Sequence, residues 1–191
     1  AWLEDLAVLN RRVSVQPRDY RVWLDRAEHL LKGKRLEAAL EDASRAIELT
    51  GPGTPERTSG YVLSSRIQTA LGQFEQAVAS ATSGLENHPD DQAYSIRGEA
   101  HFQLGNYAAA IEDFRAARRL DPLVQQAYQR QAEKLEAEGQ VQQASLFREQ
   151  AEALSPERLI QTVAHEEAAP PPFPVSPRPA TPGPTPPAEN R

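Results

Sequence analysis

Apolar and small residues recur at helical spacing along most of this chain. The segments 93–104 and 107–120 both carry them at positions i, i+3, i+4 and i+7, which is typical of an amphipathic helix. Residues 1 to about 160 are rich in Ala, Leu, Glu, Gln and Arg, which lose little free energy on entering a helix. Alternating runs of β-branched and aromatic residues hardly occur. The pattern therefore predicts an all-α fold.

The helical pattern repeats with a period of 33 to 38 residues. Small residues at one register position are separated by 38, 33 and 34 residues: Ala39, Ala77, Ala110 and Ala144. Glycines and prolines recur with nearly the same period, at Gly72, Gly105, Gly139, Pro89, Pro122 and Pro156. The longest interval contains the sequence TGPGTPE, whose glycines and prolines predict a looped insertion of about four residues. Each period divides into two helical patterns joined by a turn, so we predict repeated helix–turn–helix units.

These units resemble the tetratricopeptide repeat. The third unit matches its pattern best, through Tyr94, Gly98, His101, Tyr107, Ala110, Phe114, Ala117 and Pro122. The fourth unit departs from the pattern, because Arg148 occupies a position that is usually aromatic, and this predicts a partly exposed terminal helix. The resemblance implies a right-handed superhelical array of antiparallel helix pairs, an α-solenoid in which stacked units share one core.

The repeat register predicts the domain organisation. A half-repeat or capping helix is expected over 1–19, because Trp2, Leu9 and Pro17 match second-helix positions. About four repeats follow over 20–156, divided as 20–53, 58–90, 91–124 and 125–156. Residues 157–168 are expected to extend or cap the last helix. Residues 169–191 hold most of the sixteen prolines and are expected to form a disordered, extended tail.

Composition excludes several classes of function. The net charge is −6 and the basic residues form no block, which argues against a nucleic-acid partner. No apolar run is long enough to span a bilayer. The chain lacks Cys, so it holds no disulfide or thiolate site, and it lacks Met, so we expect it to begin inside the gene product. Together with an Arg-rich, Ala-rich composition, this favours the envelope or periplasm of a bacterium over the cytoplasm.

Candidate catalytic chemistry is sparse, and we expect no enzyme, cofactor or metal. His29, His88, His101 and His165 do not pair with one another or with carboxylates at metal-binding spacing on one helix. His101 is interpreted as a packed histidine of the helix interface. No phosphate-binding glycine loop and no nucleophile elbow occur. The disfavoured alternative is a small-ligand binder or enzyme that uses Arg66, Glu99 and His101.

The resemblance implies that the first helices line a concave groove that binds a peptide or helix of another protein. We therefore predict a non-catalytic scaffold or adaptor that supports assembly or localisation of a complex. Family members that clamp chaperone C-termini use basic residues and Asn, whereas the matching positions here are Leu24, Glu28, Leu63, Gln92 and Ile96. The predicted groove residues are Arg21, Leu24, Glu28, Leu31, Val62, Arg66, Gln92, Ser95, Glu99, Phe102, Gln126, Gln129 and Glu133.

Two alternatives remain open from the sequence. The apolar members of this set could instead be covered by neighbouring helices, which would leave the groove largely polar. The chain could also be a self-associating structural protein, in which a terminal helix beyond Trp2 stacks on a second copy. The partner's identity does not follow from the residues.

Overall fold

A computed structural model describes residues 2–155 of the chain. Within them the backbone is helical apart from short turns, and the elements are α1 (Trp2–Val15), α2 (Tyr20–Lys32), α3 (Leu36–Leu49), α4 (Pro55–Ala70), α5 (Phe74–Asn87), α6 (Asp91–Gln103), α7 (Tyr107–Ala116), α8 (Pro122–Ala137) and α9 (Val141–Ala153). The predicted all-α fold is confirmed. The expected cap at 157–168 and the proline-rich tail at 169–191 lie outside the described residues.

The helices pair in chain order to form an antiparallel α-solenoid. The pairs α2–α3, α4–α5, α6–α7 and α8–α9 are preceded by α1, which packs on α2. The first helices of successive pairs also contact one another, α2 with α4 and α4 with α6. The predicted insertion lies within TGPGTPE, of which Thr50 to Thr54 form the loop between α3 and α4, whereas Pro55 and Glu56 begin α4. The Gly53 N–H donates to Asn87 Oδ1 at 2.6 Å.

The starts of the first helices are set by side-chain caps. The side chains of Asp19, Thr54, Asp90 and Asp121 each accept a hydrogen bond from a backbone N–H in the first turn of α2, α4, α6 and α8. Such caps satisfy donors that the helix itself leaves free. The second helices begin without a side-chain cap, directly after tight turns. First helices therefore follow a loop and begin with a side-chain cap, whereas second helices follow a tight turn and begin without one.

The tight turns within the pairs depend on one residue with a positive φ angle. Gly72, Gly105 and Gly139 have φ between 73° and 79°, where glycine meets no steric penalty. In the first pair this conformation falls on Lys34, with φ 57°, and the preceding Gly33 is needed for another reason. A Cβ on Gly33 would lie 2.2 Å from the Trp2 ring, so the glycine lets α1 approach α2.

Small residues allow each pair to pack closely, as the repeat pattern predicts. Ala27, Ala39 and Ala43 are fully buried between α2 and α3. In the third pair a Cβ on Gly98 would lie 2.7 Å from the ring of Phe114, which is itself fully buried. The large ring therefore fills the space that the missing side chain leaves, and the two helices can approach each other.

Two details of the second helices differ from the sequence prediction. The helical pattern over 107–120 predicts a longer α7, but α7 ends at Ala116 because Arg118 adopts a left-handed conformation with φ 54°. In the fourth pair Arg148 is exposed and paired with Glu136, as its departure from the pattern suggests. The aromatic residue is shifted by one position to Phe147, which packs against Tyr128 with ring centroids 6.0 Å apart.

Candidate functional site

The side of the array formed by the first helices, here called the concave face, carries a partly open cavity of about 170 Å³. Three successive first helices meet around it, because α4 contacts both α2 and α6. The lining residues come from α2, from α4, and from the start of α6: Glu28, Ser59, Val62, Leu63, Arg66, Asp90 and Gln92. We call this the concave cavity.

The concave cavity has an apolar floor and a polar rim. Val62 and Leu63 are 5% and 4% exposed and belong to the cores between the helices. Ser59, Glu28 and Gln92 are exposed at the rim. Asp90 caps α6, because its Oδ1 accepts a hydrogen bond from the Ala93 N–H at 2.7 Å.

Arg66 supplies the positive charge of the cavity. Its guanidinium makes no hydrogen bond, ion pair or ring contact within the described part of the chain, although five N–H donors are available. Glu28 stands on the α2 side of the same cavity and is likewise without a partner within residues 2–155. A half-buried arginine beside an apolar floor favours a ligand that brings its own acceptor groups.

The predicted groove residues outside the cavity are placed in several ways. Leu24 and Leu31 are half-buried and pack against the core between α2 and α3, and Phe102 packs against the core between α7 and α8. Neighbouring helices therefore cover Val62 and part of each of these three side chains. Exposed residues extend along the rest of the first helices: Arg21, Gln126, Gln129 and Glu133.

Arg119 covers part of the concave face between α6 and α8, a position that the helical pattern does not predict. Its Nη1 donates to Glu99 Oε1 at 2.5 Å and to Ser95 Oγ at 2.8 Å, and its Nε donates to Asp121 Oδ2 at 2.6 Å. The hydrogen bond from Arg119 lowers the pKa of the Asp121 carboxyl. Two predicted groove residues are therefore held by a residue of this chain. The early end of α7 brings Arg119 there.

The residues of the enzyme alternative do not share a site. Arg66 lines the concave cavity, whereas Glu99 is bound by Arg119 and His101 is absent from the lining. Burial lowers the pKa of His101, and its Nδ1 has no hydrogen-bond partner within residues 2–155. No group of three or more His, Asp or Glu side chains within residues 2–155 could hold a metal ion. No helix within the described residues is long and apolar enough to cross a membrane.

A larger but more open depression of about 560 Å³ lies along α3, on the side of the second helices. Its lining comes from α3 and from the turn before α5: Glu37, Leu40, Glu41, Ser44, Arg45, Glu48, Leu71 and Gln73. Arg45 and Glu48 already form an ion pair there at 2.6 Å. Because only one helix and one turn shape it, this depression offers less enclosure than the concave cavity.

Comparison with curated proteins finds short stretches of similarity in repeat-containing proteins. The chain is 32% identical over 83 residues to "Protein STIP1 homolog" of Dictyostelium discoideum, covering 44% of this chain and 14% of that protein. It is 30% identical over 83 residues to "Hsp70-Hsp90 organizing protein" of Triticum aestivum, again covering 44% and 14%. The chain thus spans about a seventh of the length of these two relatives.

Solved structures share the architecture at low sequence identity. MamA from Desulfovibrio magneticus RS-1 superposes with a TM-score of 0.59 at 16% identity, covering 80% of this chain and 85% of that one. YrrB, described as "a TPR protein with an unusual peptide-binding site", gives a TM-score of 0.61 at 14% identity, covering 86% and 84%. These likenesses show the fold.

The family follows from a direct match to the repeat. A family model described as "Tetratricopeptide repeat" matches residues 5–53 and 66–127, which together are more than half of the chain. The matched ranges cover α2, α3, α5, α6 and α7, and they leave out most of α4 and of the pair α8–α9. Of the lining of the concave cavity they include Glu28, Arg66, Asp90 and Gln92. The chain belongs to the tetratricopeptide repeat family.

Proposed function

We propose that this chain is a non-catalytic adaptor whose concave cavity binds an extended or helical segment of a partner protein. Tetratricopeptide repeat proteins are in general interaction scaffolds, and one relative is named for organising Hsp70 and Hsp90. The partner segment would place apolar atoms over Val62 and Leu63 and present acceptor groups to Arg66. Its binding would help to assemble or localise a complex.

The observation that carries this proposal is the convergence of three first helices around one unpaired arginine. Arg66 and Glu28 have no partner within residues 2–155, and the floor beneath them is apolar. A segment that covers the floor would remove water from around Arg66, which strengthens any charge-assisted hydrogen bond made there. Specificity would follow from the need to satisfy both the positive and the negative side of the rim.

A chaperone C-terminus anchored by a basic clamp does not fit this face. Of the five positions that match such a clamp, Leu63 and Ile96 are buried and Leu24 is half-buried. The other two, Glu28 and Gln92, are exposed but carry no positive charge. We therefore expect the partner segment to bind through its side chains around Arg66, with its chain terminus playing no necessary part.

The test uses site-specific photo-crosslinking in the 191-residue chain. A photoreactive residue at Gln92 in the cavity rim is compared with one at Ala79, which is exposed on α5. We expect a partner protein to crosslink at Gln92 and not at Ala79. Adding Arg66→Glu should abolish that crosslink, whereas the matched charge reversal Arg18→Glu in the exposed turn before α2 should not.

Unchanged helicity and thermal stability in both arginine variants would confirm that a lost crosslink reports binding. Equal crosslinking from both positions, or crosslinking that survives Arg66→Glu, would contradict the proposal. Substituting Leu24 or Phe102 by Asp is a poorer test, because both side chains pack against the core and their loss would disturb folding.

A further inference from the structure

The face of α1 that points away from α2 carries exposed valines alternating with charged residues. Val8 and Val15 are 60% and 70% exposed there, and they lie two helical turns apart on the same side. Arg11 lies between them, and together with Arg12 and Gln16 these residues line a depression of about 410 Å³. Asp5 lies one turn before Val8 on the same side. We call Asp5, Val8, Arg11 and Val15 the α1 stripe.

Two positions of the α1 stripe, Asp5 and Val8, are equivalent to positions that are covered elsewhere in the array. Arg26 of α2 donates to Asn10 of α1 at 3.1 Å, just as Arg97 of α6 donates to Thr82 of α5 at 3.1 Å. Helix α1 therefore packs on α2 in the same way as the second helix α5 packs on α6. Val8 precedes Asp42 by 34 residues, one repeat period, and Asp42 is only 3% exposed because α2 covers it.

The positions of α3 and α7 that are equivalent to Asp5 and Val8 thus pack against the first helix of their own pair, whereas those equivalent to Arg11 are exposed. No helix among residues 2–155 covers the α1 stripe. Valine at positions so exposed keeps apolar area in water at a cost of about 25 cal/mol per Å². A helix laid along the stripe would recover part of that free energy.

The charges of the α1 stripe are complementary to themselves in an antiparallel arrangement. Asp5 and Arg11 lie three residues on either side of Val8, and neither makes an ion pair or hydrogen bond with any described residue. If a second copy of α1 runs antiparallel with Val8 against Val8, Asp5 of each copy faces Arg11 of the other. Opposite charges that face each other across an interface speed the association of two proteins and fix its orientation.

We infer that two copies of this chain associate through their α1 stripes around a two-fold axis. The interface is isologous: Val8 packs on its own equivalent at the centre, and two Asp5–Arg11 pairs flank it. One helix face buries less than the roughly 800 Å² per partner of a standard interface. The dimer should therefore be reversible and form as the protein concentration rises.

The test is sedimentation equilibrium of the 191-residue chain over a concentration series, with charge-swapped variants. The wild-type chain should pass from monomer to dimer. Asp5→Arg alone and Arg11→Asp alone should stay monomeric, because each would face two like-charged pairs. An equimolar mixture of the two variants should form a heterodimer, since Arg at 5 then faces Asp at 11, and the unmodified Arg11 faces the unmodified Asp5.

Circular dichroism provides the folding control, and it should not change, because both side chains are exposed and neither makes a hydrogen bond or ion pair within residues 2–155. A wild-type chain that is monomeric at the highest soluble concentration would overturn the inference. So would single variants that still dimerise, or a mixture that does not. None of these residues lines the concave cavity, so the result is independent of the proposed partner binding.

Discussion

Replacing Asp113 by Ala should destabilise the array strongly, because Asp113 completes a buried ion pair that joins three helices. Arg97 Nε and Nη2 donate to the two carboxylate oxygens of Asp113 at 2.9 and 2.7 Å. The same guanidinium donates to Thr82 Oγ1 at 3.1 Å and lies 5.6 Å from the ring centroid of Tyr94. The side chains of Arg97 and Asp113 are 22% and 6% exposed, so solvent screens the pair weakly.

The magnitude follows from that geometry. Removing one member of a buried, hydrogen-bonded pair costs about 3–5 kcal/mol, much of it from the charge left behind. Since Arg97 retains some access to water, we expect the lower end of that range, about 3 kcal/mol in the free energy of unfolding. For a chain of this size, 1 kcal/mol corresponds to a shift in Tm of roughly 2–4 °C, so Tm should fall by about 6–12 °C.

Thermal and urea unfolding followed by circular dichroism would measure the loss. Glu112→Ala is the matched control, because Glu112 is the exposed neighbour of Asp113 and its loss should change the stability by no more than about 0.5 kcal/mol. The double variant Arg97→Met with Asp113→Leu should regain most of the lost stability, since no charge is then stranded. Equal effects of Asp113→Ala and Glu112→Ala, or a double variant no more stable than Asp113→Ala, would refute the reasoning.

Two further substitutions test one turn and the half-buried His101. Lys34→Gly should raise the free energy of unfolding by up to about 1 kcal/mol, because φ is 57° there and glycine adopts this angle without strain. A lower urea midpoint would show that the lysine side chain stabilises the fold by more than its backbone strain destabilises it. Burial lowers the pKa of His101, so the unfolded chain binds a proton that the folded chain does not, and stability should fall as pH drops below about 6.5. His101→Gln should flatten the dependence of the urea midpoint on pH between about 7 and 5, and an unchanged slope would count against this role.

The repeat architecture could be predicted because small residues carry its period. Ala39, Ala77, Ala110 and Ala144 are all fully buried, so the spacing of one residue type reports the spacing of helix pairs directly. The end of α7 could not be predicted in the same way. Arginine at position 118 is compatible with a continued helix, and only the folded structure shows its left-handed conformation.

Only part of the candidate site could be predicted from the repeat register. Glu28, Val62, Arg66 and Gln92 belong to the predicted groove and line the concave cavity. Ser59 also lines it and is equivalent in register to Gln92, so the same projection could have found it.

Asp90 could not be found by projecting helix positions, and Leu63 was reached only as a position that matches the chaperone clamp, not as a predicted groove residue. Asp90 belongs to the turn before α6, where it caps the helix, and Leu63 is a core residue whose edge reaches the cavity. Arg119 lies beyond the end of α7, and its contacts with Ser95 and Glu99 depend on the path of a turn that has no repeat equivalent. Helix periodicity predicts the residues that helices contribute to a site, but it does not predict those that turns contribute.

The α1 stripe and the concave cavity would act together in a dimer. The α1 stripe lies outside the concave cavity, so a dimer formed through α1 leaves both cavities open and relates them by a two-fold axis. A partner with two suitable segments could then occupy both cavities, and the second contact would form at an effective concentration of the order of millimolar for a short flexible linker. Two individually weak contacts would give tight binding without any further contact area. Because the α1 interface is expected to be weak, the fraction of dimer depends on protein concentration. The increase in affinity from bivalent binding would depend on it too, since the monomer offers only one cavity.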